Sequence, residues 1–326
     1  MSRHLLAAAL LIAVTLLPAC RQQQHPHDHA TPAPAPEKGH DPFHSTVIHD
    51  TRLQQTLSPN QLLEHIRQAD VVLLGEQHDH DHGHRLQLAI LQRLPAFTLS
   101  LEMIERDRAA ALAHYLAAPY PATPQATEQF LQDAGLANWA GPGSGVRWYL
   151  PLIDTARSPA RSATVIAANA PRHLVRHARR NGLPALSTMP AHTQRLAAAP
   201  EHPEHNTALQ PYRTRFNQTM AAMHPAASQP DPKTLDDLFN AQIVWDATMA
   251  DTVASAYHLG LPRPIVHIAG QFHTDYNGGL TALLTPQLSP QARILTISIL
   301  PRPGTELLPE DLDRAHIVLY TLTPAP

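Results

Sequence analysis

Residues 69–84 constrain the fold more than any other segment, because an apolar run gives way abruptly to acidic and imidazole side chains. Val71 to Leu74 is short, continuous and partly β-branched, which favours a strand buried on both faces of a parallel sheet. Gly75 is expected to end this strand at a tight turn. An amphipathic helix is predicted next, from apolar residues spaced four apart: Leu86, Ile90 and Leu94.

The same alternation of strand and helix continues along the chain. Further buried-type strands are predicted at 97–103, 164–169, 264–270, 294–300 and 317–322. Helical sequence separates them, and this pattern indicates an α/β fold with a mainly parallel sheet sandwiched by helices. We expect a single domain over residues 45–326, with helical insertions near 104–160 and 190–260.

Two of the predicted strand ends look alike. One reads Gly75-Glu76-Gln77-His78 and the other Gly270-Gln271-Phe272-His273, and each follows a buried strand and precedes a helix. Glu102 and Arg172 are the polar residues at two other strand ends. Ligands of open α/β sheets bind outside the carboxyl ends of the strands. The sequence therefore predicts one crevice lined by these groups.

Composition limits the chemistry that is available. The 326 residues carry a net charge of −3 at pH 7, which gives no reason to expect nucleic acid as a partner. Cys20 is the sole cysteine, so the predicted domain contains no disulfide and no thiolate metal site. Binding must use other side chains, and the 23 histidines are abundant.

The N-terminus has the features of a secretory signal. Residues 5–17 form an apolar core too short for a comfortable membrane span. Leu17-Pro18-Ala19-Cys20 resembles the lipobox of bacterial lipoproteins, which implies removal of residues 1–19 and a lipid on the sulfur of Cys20. A plain secretory peptide cut near Ala19 is the alternative. Arg21 in place of Asp favours sorting to the outer membrane, facing the periplasm.

Residues 20–44 are rich in Gln, His, Pro and Ala and have almost no large apolar side chain, which predicts a disordered tether. Its histidines are His25, His27, His29, His40 and His44. Such a cluster either binds transition metals or haem weakly or is only a polar spacer. Both interpretations stay open.

Five segments in order resemble one known family. They are Leu74 to Asp79, Leu101 to Arg106, Ala168 to Arg172, Val244 to Ala250, and Ala269 to His273. Together they resemble the ChaN-type haem-binding lipoproteins of the wider Tiki/TraB and erythromycin-esterase-like assemblage. The resemblance implies an α/β sandwich, a role in haem or iron uptake, and a homodimer bridged by haem with a tyrosine on the iron.

A haem site needs an apolar slot, an axial ligand and cations for the propionates. His78, His273 or Tyr276 could bind the iron, with Tyr276 chosen because it follows His273 by three residues. Arg172 could pair with a propionate. The alternatives are structural: Arg172 would begin a helix and pair with a nearby glutamate, Glu76 or Glu102, and the histidines would hydrogen-bond to neighbouring carboxylates.

A divalent metal ion is the second possible ligand. Helical spacing would bring His78 beside His82 and His80 beside His84, and such pairs can chelate zinc or copper. The candidate metal ligands are His78, His82 and His273. The His-rich tether offers a further route to a periplasmic metal-binding protein.

Hydrolysis of an ester or peptide bond is the rival function. In that case Glu76 would be the general base, His78 and His273 would hold a metal ion or polarise a carbonyl, and Glu102 would complete the set. No serine or cysteine nucleophile motif is present, so only a metal-dependent route can be argued. The haem-binding reading is preferred, with enzymatic activity left open.

Overall fold

The structure of the protein, a computed structural model, describes residues 41–200, 202–224 and 228–321. The predicted signal peptide, the lipidation site at Cys20 and most of the predicted tether lie outside the described residues. Within the described ranges, no helix combines the length and apolar character needed to cross a bilayer.

Eight strands form one mixed sheet in the order β2-β1-β8-β7-β3-β6-β4-β5. Their bounds are β1 Thr46–Asp50, β2 Gln55–Leu57, β3 Val71–Glu76, β4 Ala96–Glu105, β5 Ser162–Asn169, β6 Ile265–Gly270, β7 Ile294–Leu300 and β8 Ile317–Thr321. The six strands from β8 to β5 run parallel, and β1 is antiparallel to both of its neighbours. The predicted α/β class and mainly parallel sheet are confirmed.

Helices cover both faces of this sheet. Their bounds are α1 Pro59–Gln68, α2 Asp81–Gln92, α3 Ala109–Ala117, α4 Pro124–Asp133, α5 Leu150–Arg157, α6 Arg172–Asn181, α7 Ala191–Gln194, α8 Gln210–Met223, α9 Pro232–His258, α10 Gln271–Thr274 and α11 Gly279–Leu284. Side-chain caps fix several helix starts: Ser58 forms a capping box with Gln61, and Asp231 accepts the backbone N–H of Thr234.

Strand β3 is apolar throughout because both of its faces are buried. Val72 and Leu74 belong to the core shared with α1, α2 and α5. Val71 and Leu73 belong to the opposite core, which is shared with α8, α9 and α11. A continuous apolar run is the pattern expected for a strand covered on both sides.

Strands β3 and β6 are adjacent and parallel, yet the chain leaves them toward opposite faces of the sheet. Helix α2 follows β3 and packs in the first core, whereas α11 follows β6 and packs in the second. This is a topological switch point, where a crevice opens at the carboxyl ends of the strands. Glu76 and Gly270 are paired in register at this place.

The structure differs from the sequence predictions in detail. Strand β3 continues through Gly75 to Glu76, so this glycine does not end the strand. A Cβ atom at position 75 would lie 2.6 Å from the Thr274 hydroxyl oxygen, and space is therefore what requires glycine. Strand β4 runs to Glu105, and α3 begins only at Ala109. Strands β1 and β2 were not predicted.

Candidate functional site at the carboxyl ends of β3 and β6

Glu76, the last residue of β3, is the centre of a buried hydrogen-bond network. The Tyr149 hydroxyl donates to Oε1 at 2.9 Å, and the Gln87 amide on α2 donates to Oε2 at 2.5 Å. His78 Nδ1 lies 2.8 Å from Oε1. Tyr149 ends a single turn of π-helix, Gly145–Tyr149, and irregular turns of this kind are frequent at functional sites.

The charges in this network stabilise one another. Burial alone would raise the pKa of Glu76, but the imidazoles of His84 and His78 outweigh it and lower the pKa. For His78, burial works against the charged ring, yet the hydrogen bond to Glu76 and the charge of Glu102 raise its pKa above the ordinary value. Glu76 is therefore ionised, and His78 holds its proton to higher pH than a free histidine.

The His78 ring is held on one side and open on the other. Nδ1 donates to Glu76, and the ring of Trp139 packs edge-on against the imidazole at 4.7 Å. Nε2 has no hydrogen-bond partner among the described residues, and 18% of the side chain is exposed. A Cβ atom at position 270 would lie 2.9 Å from Nε2, so Gly270 leaves room for this nitrogen.

A second network lies across the sheet edge. Glu102 on β4 accepts the backbone N–H of Gly270 at 2.6 Å and lies 3.6 Å from His273 Nε2. His273 Nδ1 donates to Asp246 on α9 at 2.6 Å. The Tyr212 hydroxyl on α8 donates to the other oxygen of Asp246 at 2.8 Å. Both ring nitrogens of His273 therefore face carboxylates.

This pairing fixes the charge state of His273. Burial would lower its pKa, but the carboxylates of Asp246 and Glu102 outweigh burial and raise the pKa to about 10. Burial likewise opposes the ionised form of Glu102, yet His273 and His78 lower its pKa to about 2. Glu102 is thus an anion that interacts with both histidines.

The other predicted haem-site residues, Arg172 and Tyr276, belong to neither of these two networks. Arg172 pairs with Glu105 at 3.3 Å, not with Glu76 or Glu102. The Tyr276 hydroxyl donates to the carbonyl of Glu310 at 2.9 Å. Two guanidinium groups, from Arg215 and Arg314, lie over the Tyr276 ring.

Of the two predicted histidine pairs, only His80 and His84 are one turn apart, since the backbone N–H of His84 donates to the His80 carbonyl at 3.2 Å, and both ring nitrogens of His84 have other partners. The helix begins at Asp81, so His78 lies before it and has no one-turn neighbour on it. His82 Nε2 lies 3.0 Å from the Pro42 carbonyl, and His80 Nε2 lies 2.9 Å from the Thr321 hydroxyl. In the parts of the chain that the structure describes, no three ligand atoms at this sheet edge lie within 4.8 Å of one another.

Glu76, His78, Glu102 and His273 lie at the strand ends where the sequence predicted them, but their hydrogen-bond partners were not predicted. Asp246 lies in a segment used for the family resemblance, although no role was given to it. Tyr149 and Gln87 lie in helical segments whose sequences contain no recognisable motif. Only tertiary packing brings them to Glu76.

The fold and site together define an α/β protein with carboxylate–imidazole pairs at a topological switch point. The profile of the family described as "Haem-binding uptake, Tiki superfamily, ChaN" matches residues 62–284. The chain belongs to this family, as the sequence resemblance predicted. No curated protein matches it in sequence.

Two solved structures are similar. One is described as "Cofacial heme binding to ChaN of Campylobacter jejuni", with 17% identity, a TM-score of 0.62, and coverage of 84% of this chain and 96% of that one. At this identity the likeness establishes the fold. The other is a mutant of erythromycin esterase EreC in its open conformation, with 18% identity, a TM-score of 0.40 and 80% of each chain covered.

Neutralising Glu76 should change the titration of His78. We expect Glu76→Gln to lower the pKa of His78, because the ring loses the anion that accepts its Nδ1 proton, while Tyr149 can still donate to the amide oxygen. Histidine-resolved NMR over a pH series measures this. Glu105→Gln is the matched control and should leave His78 unchanged. An unaltered His78 pKa in Glu76→Gln would contradict the assigned pair.

Proposed function

We propose that this protein takes part in haem uptake and binds haem at the carboxyl-end crevice between β3 and β6, with His78 Nε2 as the iron ligand. Membership of the haem-binding uptake family supports the ligand class. The observation that carries the site is the His78 ring, whose Nδ1 is held by Glu76 while Nε2 lacks a partner in the described structure.

Histidines that ligate metals almost always donate their other ring N–H to a carboxylate, carbonyl or water, which fixes the ring and makes the free nitrogen more basic. His78 has this arrangement, and the other two candidates lack it. Both nitrogens of His273 face carboxylates. The Tyr276 hydroxyl is engaged with Glu310.

The surroundings of His78 suit a planar apolar ligand. Trp139 lies edge-on against the ring and is only half-buried. The Gln271 side-chain oxygen is buried without a hydrogen-bond partner among the described residues. An aromatic surface and an uncompensated polar atom at one strand end are features of a ligand site.

Arg172 is the proposed partner of a haem propionate. It begins α6 at the same edge of the sheet, and 48% of its side chain is exposed. Glu105 occupies its guanidinium in the structure, so a propionate would replace one carboxylate by another. An arginine can bind such a group through two parallel hydrogen bonds.

The haem titration should depend on His78. In the full mature chain, we expect a saturable Soret shift with haemin, weakened at least about tenfold by His78→Ala, which corresponds to roughly 1.4 kcal/mol. His192→Ala removes an exposed histidine and is the control. Retained affinity in His78→Ala with loss in Tyr276→Phe would overturn the ligand assignment. Sedimentation of the same samples tests the proposed haem-bridged homodimer.

Haem affinity should also rise with pH. Nε2 must be unprotonated to bind iron, and the raised pKa of His78 keeps the proton in place above the ordinary range. Affinity is therefore expected to increase by up to about tenfold per pH unit below that pKa and to level off above it. A profile that is identical in His78→Ala would argue against this ligand.

Substitutions of Arg172 and of Glu105 should change haemin affinity in opposite directions. Arg172→Ala should weaken haemin binding by several-fold, because one propionate loses its cation. Glu105→Gln should strengthen binding, because it removes the carboxylate that competes for Arg172. Equal effects of the two substitutions would show that the pair serves only the helix start, and the same titration measures both.

The proposal also includes attachment to the outer membrane through lipid on Cys20, facing the periplasm, which rests on the lipobox resemblance alone. Cys20→Ala should abolish incorporation of labelled fatty acid and release the protein from the membrane fraction. Unchanged membrane association and no labelling of the native chain would refute the anchor without affecting the haem site.

A further inference from the structure

Three metal-ligating side chains meet in the segment before α8. One ligand atom each from His202, Glu204 and His205 lies within 4.8 Å of the other two, and no other such group occurs among residues 41–200, 202–224 and 228–321. None of the three belongs to the networks of Glu76 or Glu102. All three side chains are exposed.

Local backbone geometry brings these side chains together. Pro203–His205 is one turn of 3-10 helix, and the backbone N–H of His205 donates to the His202 carbonyl at 3.1 Å. Side chains three residues apart eclipse on such a turn. The two imidazole rings accordingly lie 5.4 Å apart, and Gln210 holds the turn by donating to the Glu204 carbonyl.

The spacing of the ligand atoms suits a tetrahedral ion. Glu204 Oε1 lies 3.1 Å from His202 Nδ1 and 3.7 Å from His205 Nε2. Zinc bonds to nitrogen and oxygen are about 2.0–2.2 Å long, so its tetrahedral ligand atoms lie roughly 3.3–3.6 Å apart. Small rotations of exposed side chains would therefore complete the arrangement.

A cavity adjoins the cluster and distinguishes it from scattered surface histidines. Its volume is about 620 Å³, and His202 forms part of its wall. The other lining groups include Leu183, Leu186, Ala197 and Arg195. An ion held by three protein atoms keeps a fourth position for water or an external ligand, and this cavity offers room for such a ligand.

We propose that His202, Glu204 and His205 form a binding site for a borderline divalent cation, foremost Zn²⁺. Two imidazoles and one carboxylate are the ligand set of known three-residue zinc sites with an open position. The site is independent of haem binding at His78.

The test is a Zn²⁺ titration of the full mature chain against a chromogenic chelator, with bound zinc counted by mass spectrometry. We expect one equivalent of tightly bound Zn²⁺ to be lost in the double variant His202→Ala/His205→Ala. Glu204→Gln should weaken that site at least about tenfold while leaving the fold unchanged by circular dichroism. His192→Ala is the matched control and should retain the native affinity and stoichiometry.

The histidines before residue 45 are a competing source of zinc binding. Replacing His25, His27 and His29 by Ala should leave the tight site in place. Unchanged zinc stoichiometry and affinity in the His202→Ala/His205→Ala variant would overturn the proposal and assign binding elsewhere. Haemin titration of the same variant should match the native protein, so failure of one proposal is distinguishable from failure of the other.

Discussion

Three of the carboxylates that are buried at this edge of the sheet belong to the two networks, and the site depends on how their charges are compensated. Glu76, Glu102 and Asp246 are at most 7% exposed. A buried anion without a partner is costly, whereas one with a cation and hydrogen-bond donors is tolerated. The imidazoles of His78 and His273 supply the cations. Helix α2 and the π-turn bring donors to Glu76, α9 brings Asp246 to His273, and α8 brings the Tyr212 hydroxyl to Asp246.

The same compensation sets a pH range for the second network. His273 has a folded-state pKa of about 10, above its ordinary value of 6.5, so its contribution to stability is complete below pH 6.5 and is lost as the pH rises toward 10. Glu102 has a folded-state pKa of about 2, below its ordinary 4.5, so its contribution is complete above pH 4.5 and is lost as the pH falls toward 2. Between pH 4.5 and 6.5 both contributions are complete.

Much of this arrangement could be predicted from sequence because strand ends carry local signals. A continuous apolar run followed by Gly-Glu-x-His indicates a buried strand and a displayed histidine, and the structure brings Glu76, His78, Glu102 and His273 together. The partners could not be predicted in this way. Asp246 lies within a long helix, and its role follows from the packing of α9 against β4 and β6. Arg172 is at a strand end as predicted, but a nearer carboxylate, Glu105, takes its guanidinium. Gly75 was expected to make a turn, yet it and Gly270 both lie in strands where a neighbouring side chain leaves no space for a Cβ atom.

The two strand-end histidines share a motif and differ in what they can do. His273 has a carboxylate at each ring nitrogen, so an incoming iron would have to displace Glu102 from Nε2, or Asp246 from Nδ1, and leave a buried anion without its cation. His78 has a carboxylate at Nδ1 only, and ligation through Nε2 would keep that hydrogen bond intact. Loss of the His78 proton would still leave Glu102 beside the His273 cation. This difference at Nε2 is why, under the proposed function, one of two nearly identical sequence motifs is suited to binding a ligand and the other to holding the site together.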